Sequence, residues 1–169
     1  LEDSQRWGGL VILGNAILND SDNPIVNPGA AEPPTREVEG FPTGTDSAKI
    51  SYGGNNDDDN SGVLRFVSIR YGGFPLSEDN EINGLTLGAV GRGTDISYVE
   101  VFNNSDDGIE FFGGTVNTHH MVMAFNEDES YDIDEGYRGT NQFWFAIQKN
   151  TFAGSNFAGE HDGGNDKAD

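Results

Sequence analysis

The chain has 169 residues, with 9 Lys and Arg against 29 Asp and Glu, for a formal net charge of −20. At 18.2 kDa and a pI of about 4.1 it is long enough for one domain with a real core. A surface of that sign repels phosphate backbones and anionic lipid, so nucleic acid and an anionic membrane surface are excluded as partners. There is no cysteine, hence no disulfide and no thiolate metal site, and no apolar run is long enough to span a bilayer.

In chain order, the first predicted strand lies in Gly9-Leu10-Val11-Ile12-Leu13-Gly14. Residues 17–47 follow, with five of the 6 prolines, and read as a long inserted loop. Ala48-Lys49-Ile50-Ser51-Tyr52-Gly53 is a looser strand, and Leu64-Arg65-Phe66-Val67-Ser68-Ile69 a longer one. Two strand types then alternate. Short Gly-bounded segments are Gly84-Leu85-Thr86-Leu87-Gly88, Gly108-Ile109-Glu110-Phe111-Phe112-Gly113 and Ser130-Tyr131-Asp132-Ile133-Asp134-Glu135-Gly136. Longer ones are Ile96-Ser97-Tyr98-Val99-Glu100-Val101, His120-Met121-Val122-Met123 and Gln142-Phe143-Trp144-Phe145. A second insertion is read over 149–159, within a single domain spanning 1–169.

A shift of about 22 residues superposes Val99 on Met121 and Phe143, and Val101 on Met123 and Phe145. It also puts Asn104 on Asn126, Asp106 on Asp128, Phe111 on Ile133 and Gly114 on Gly136. A unit this short fits one turn of a parallel β-helix, each strand stacking on its counterpart one turn later. Alternation places Val99, Val101, Ile109 and Phe111 inside, and Glu100, Glu110 and Phe112 outside. The rival antiparallel sandwich predicts hairpin dipeptides, and few occur. Of these, Asn83-Gly84 and Asp107-Gly108 sit at equivalent repeat positions. The expected fold is all-β, a right-handed parallel β-helix with long insertions.

The blocks Trp7-Gly8-Gly9-Leu10-Val11-Ile12-Leu13-Gly14-Asn15-Ala16, Asp107 to Asn117 and Asp132 to Gly139 resemble those of bacterial secreted or lipoprotein right-handed β-helix proteins. The resemblance covers most of residues 7–148. It implies an address outside the cytoplasm and no particular chemistry. The composition agrees: an acidic, Cys-free, Gly/Asn/Asp-rich chain suits a bacterial surface protein stapled by calcium rather than sulfur. The chain starts at Leu1 and reads as a processed product or excised fragment. An uncapped stack is expected to continue in a longer parent or to stack against another chain.

Six carboxylates fall within Glu127 to Glu135. Stacking brings Asp106 beside Asp128 and Glu110 beside Asp132, about 4.8 Å apart. Like charges that close require a cation or a shared proton. Calcium, which accepts irregular oxygen cages, is expected at Asp106, Asp128, Asp132 and Asp134. Asp57, Asp59 and Ser61 occupy positions 1, 3 and 5 of a calcium-loop pattern, but Ser68 stands where a bidentate Glu is needed. The alternative for both groups is a solvated acidic face. Gly163-Gly164-Asn165-Asp166 resembles one fragment of a calcium-binding repeat. His119 and His120, as strand neighbours, are expected on opposite faces and unable to chelate one metal.

Phe112, Tyr137 and Trp144 are candidate glycan-stacking rings, with packing under the insertions as the alternative. The expected function is a non-catalytic extracellular β-helix module, calcium-stabilised, acting as a surface scaffold or an adhesion and glycan-binding element. The alternative is a polysaccharide lyase or glycoside hydrolase using the acidic outer face, although no local catalytic signature is present.

Overall fold

The computed structural model describes residues 4–19, 35–77, 80–149 and 157–162. Two parallel sheets carry the architecture. The first contains β1 (Leu10–Leu13), β7 (Leu85–Gly88), β9 (Ile109–Phe112), β11 (Tyr131–Asp134) and β13 (Glu160–His161) in that order. The second contains β4 (Val63–Arg70), β8 (Asp95–Phe102), β10 (Asn117–Ala124) and β12 (Asn141–Ile147), stacked in coil order. Four coils each contribute one strand to each sheet, β13 adds a fifth rung to the first, and every pairing in these sheets is parallel. This is the right-handed parallel β-helix, and the sandwich is excluded. No described helix is long and apolar enough to cross a membrane.

The lumen is filled as alternation dictates. Leu85, Leu87, Val99, Val101, Ile109, Phe111, Met121 and Met123 are essentially sealed from solvent. Val99 pairs with Met121, Val101 with Met123 and Phe111 with Ile133. Asn126 fixes one corner, its buried side chain accepting the backbone amide of Asn104 at 3.1 Å. Gly108 is a steric requirement at another. A Cβ there would meet Asn126 Nδ2 at 2.5 Å and Ser130 O at 2.6 Å.

The fourth coil departs from the expected register. Met121 lies beside Trp144 and Met123 beside Ala146, so the step here is 23 residues rather than 22. Phe143 and Phe145 therefore point outward, 68% and 56% exposed. The extra residue sits in the turn before β12. Phe112 pairs with Asp134 and Thr118 with Asn141, leaving 113–117 to match the longer 135–140.

The segment after β1 folds back over the first sheet. β2 (Arg36–Glu37) and β3 (Ser51–Tyr52) form an antiparallel pair. A second apolar cluster of Leu18, Val38, Tyr52, Ala89 and Phe112 lies beneath, with Val11 and Leu13 against it. The 17–47 insertion is thus a packed cover where it is described; residues 20–34, and 150–156 of the second insertion, lie outside the described residues. A further hairpin, β5 (Pro75–Ser77) with β6 (Asn80–Glu81), interrupts the repeat between β4 and β7.

Candidate functional site

Stacking sets two outward columns of polar residues beside one another. Asn83 and Asp107 precede the equivalent glycines of successive coils, and Glu129 follows one coil later, its amide donating to Asp107 Oδ1 at 2.9 Å. On the neighbouring strands Thr86 pairs with Glu110, Glu110 with Asp132, and Asp132 with Glu160. The columns converge into two groups of three, Asp107 with Glu110 and Asp132, and Asp107 with Asp128 and Glu129. Within each group, one oxygen per residue lies within 4.8 Å of the others.

Asp107, Glu110 and Glu129 are buried, Asp132 is half-buried and Asp128 is exposed. Asp107 and Glu110 are 7% and 8% exposed, and Asn83 is 6% exposed. Burial, aided by the charges of Asp106, Asp132, Glu129 and Asp128, pushes Asp107 well above the usual carboxylate range. Burial and the charges of Asp107 and Asp132 do the same to Glu110. Asp132 is pushed up to about 6, chiefly by burial. Glu129 rises to about 7, by burial and then by its hydrogen bond with Asp128. Asn83 Nδ2 donates to Glu110, while Asn83 Oδ1 is buried without a hydrogen-bond partner. Each group offers three acidic oxygens, hard donors of the kind calcium accepts.

The expected metal residues divide accordingly. Asp128 and Asp132 join the convergent groups. Asp106 and Asp134 only flank them, the latter with its Oδ1 accepting the Glu135 amide. Asp107, Glu110 and Glu129 complete the cluster, and of these only the Glu110–Asp132 neighbourhood is readable from the repeat. The calcium-loop reading of Asp57, Asp59 and Ser61 is corrected. Both Asp57 carboxylate oxygens accept Arg138 at 2.8 Å, and Oδ1 also accepts the Ile17 amide. Burial of Asp57 opposes ionisation, but these hydrogen bonds and the Arg138 and Arg92 charges prevail and hold it below its ordinary value. Asp59 takes Asn15 and Ser61 as partners instead. Guanidinium groups stand where a cation was expected. Gly163 to Asp166 lies outside the described residues.

The expected glycan-stacking rings are corrected as well. Phe112 faces out of the coil but is buried against Tyr52, ring centroids 5.8 Å apart. Tyr137 packs on Phe111 at 4.4 Å and donates its hydroxyl to Val116 O. Trp144 stacks on Tyr131 at 4.0 Å and donates to Thr118 Oγ1. A different set of rings forms an exposed ladder. Phe66, Tyr98, His120 and Phe143 stack up the outer face of the second sheet, with centroids 4.8, 4.6 and 4.7 Å apart. All four have φ of +55 or +56°. This left-handed bulge costs a non-Gly residue roughly 1–2 kcal/mol and turns each ring out of the pleat. No spacing rule announces it, because glycine or asparagine is the residue ordinarily read for such a position. A groove of about 380 Å³ runs beside the rings, lined by Val67, Glu100, Val122 and Phe145 among others.

The same bulge overturns the expectation for the histidines. His120 leaves the alternation, and both rings lie on the outer face with Nδ1 atoms 2.7 Å apart.

No curated protein and no solved structure matches the chain. The family model of a pectate-lyase-like beta-helix domain matches residues 2–168.

Proposed function

From the premise that this chain belongs to the pectate-lyase-like beta-helix family, we propose that it is a non-catalytic module of a bacterial cell surface, a calcium-stabilised scaffold whose outer face binds glycan. The observation that carries this reading is the convergence of buried Asp107 and Glu110 with half-buried Asp132. Buried like charges destabilise a fold unless protons or a cation neutralise them, and near neutrality outside a cell calcium is the abundant hard cation. The exposed ring ladder supports the glycan half. Phe66 and Phe143 end the stack, 78% and 68% exposed, each stacking on a single ring of it. Their outer faces suit the apolar face of a sugar, and Glu100, Ser68 and Arg70 lie alongside as a hydrogen-bonded polar group.

Melting at pH 7.5 in calcium and in excess chelator tests the first half. Free calcium at 100 times its Kd adds about 2.7 kcal/mol. At roughly 2–4 °C per kcal/mol the melting temperature rises by about 5–10 °C. Equal melting temperatures with and without chelator refute calcium stapling. A polysaccharide panel, scored for both binding and turnover, tests the second half: binding without turnover is expected, and it is lost in Phe143→Ser.

A second reading, lyase or hydrolase, draws on Glu129 near 7 and Asp132 near 6, acids that titrate where a proton donor must. Within each group of three the oxygens lie within 4.8 Å of one another, closer than the carboxyls of an inverting pair, which stand about 6.5–9.5 Å apart. Turnover that disappears in Asp132→Asn would establish this second reading in place of the first.

A further inference from the structure

Adjacent strand residues ordinarily point to opposite faces. His120, at φ +56°, breaks that rule, and the imidazoles of His119 and His120 meet at an interplanar angle of 82° with centroids 4.9 Å apart. Their Nδ1 atoms are 2.7 Å from one another. We propose that His119 and His120 form a chelating pair for a borderline transition-metal dication, copper(II) before the others.

The bite distance sets the preference. With metal–nitrogen bonds of about 2.0 Å, a 2.7 Å separation subtends roughly 85° at the metal. That is near the right angle of a tetragonal copper or nickel site and far from the tetrahedral angle that zinc favours. Among first-row dications, copper also binds nitrogen ligands most tightly. Both rings are already held in place. His120 is stacked between Tyr98 at 4.6 Å and Phe143 at 4.7 Å, and His119 stands edge-on to Tyr98 at 5.6 Å. The stack limits how far either ring wanders before the ion binds. Without metal, one Nδ1–H donates to the other Nδ1. With metal, the donating ring carries its proton on Nε2 instead, so that both Nδ1 lone pairs face the ion. His119 is half-buried and His120 exposed, so water completes the coordination from the open side. A net charge of −20 raises the local concentration of any dication. The pair lies on β10, in the other sheet from the carboxylates of β9 and β11, and its nitrogen donors suit a softer ion than calcium.

The protein, saturated with calcium, is titrated with copper(II) alone and followed by calorimetry and electron paramagnetic resonance. One saturable site with a tetragonal spectrum and two coordinated nitrogens is expected. His120→Phe places in the ladder the residue found at Phe66 and Phe143, so it keeps the ring stack and the melting temperature but loses the site. His119→Ala loses it as well, while His161→Ala retains it. Copper bound by His120→Phe with unchanged affinity and nitrogen coupling overturns the proposal. So does loss of the signal in His161→Ala.

Discussion

Asp57 and Asp107 are both carboxylates in turns between strands, and their surroundings act on them with opposite sign. Asp57 is held low by Arg138, the Ile17 amide and Arg92. A carboxyl whose folded value is depressed contributes stability above its unfolded value, and that stability is lost as pH falls through the folded value. Asp57→Asn therefore lowers the melting temperature at pH 7, at a cost of about 1–2 kcal/mol, and leaves the calcium response intact. Asp107 is raised, so its ionisation opposes folding at neutral pH. Asp107→Asn keeps an oxygen for the Glu129 amide and removes one buried charge. It is expected to raise the melting temperature without calcium and to abolish the calcium-induced rise. A variant that melts lower in chelator than the parent does would refute the cluster as a cation site.

At the scale of the element, the ladder strands combine strain with stacking. Tyr98 stacks on Phe66 and on His120, pairs worth about 0.5–1.5 kcal/mol each, while its left-handed backbone costs a similar amount. Tyr98→Ala loses the rings and retains the strain, so unfolding by denaturant should show a loss of about 1–3 kcal/mol. Tyr98→Gly loses the rings and relieves the strain, and is expected to lie within about 1 kcal/mol of the parent. Equal losses in the two variants would mean the bulge carries no strain. These strands also mark how far the sequence was legible. Alternation and the repeat were enough for Val99, Met121 and Phe111, because lumen packing imposes both. They failed at Phe143 and Trp144, where one added residue in the turn 135–140 shifts the frame. They failed again at His119 and His120, because a bulge built with aromatic residues carries no glycine to betray it. Of the carboxylate cluster, Glu110 beside Asp132 followed from stacking. The share of Asp107 depended on the turn between Asn104 and Gly108, whose shape the repeat does not encode.

For the whole molecule, the raised carboxyls together set the response to pH. Asp107, Glu110, Asp132 and Glu129 bind protons more tightly folded than unfolded, so stability falls as pH rises from the unfolded carboxyl values through about 6 and 7. Calcium-free protein should melt several degrees higher at pH 5.5 than at pH 7.5, and saturating calcium should flatten that slope. A calcium-free melting temperature that climbs with pH over this window would contradict the cluster. The cover described above adds a different kind of coupling. Tyr52 donates its hydroxyl to buried Glu135 at 3.1 Å, and Asp57 grips Arg138, so the segment between β1 and β4 is bonded to the coil of β11 and β12. Ordinary solenoids communicate only between neighbours and can fray one winding at a time. Here a strap runs across the windings like a cord around a stack of plates. Tension along the long axis reaches this bond as well as the rungs, so the first and fourth turns yield together.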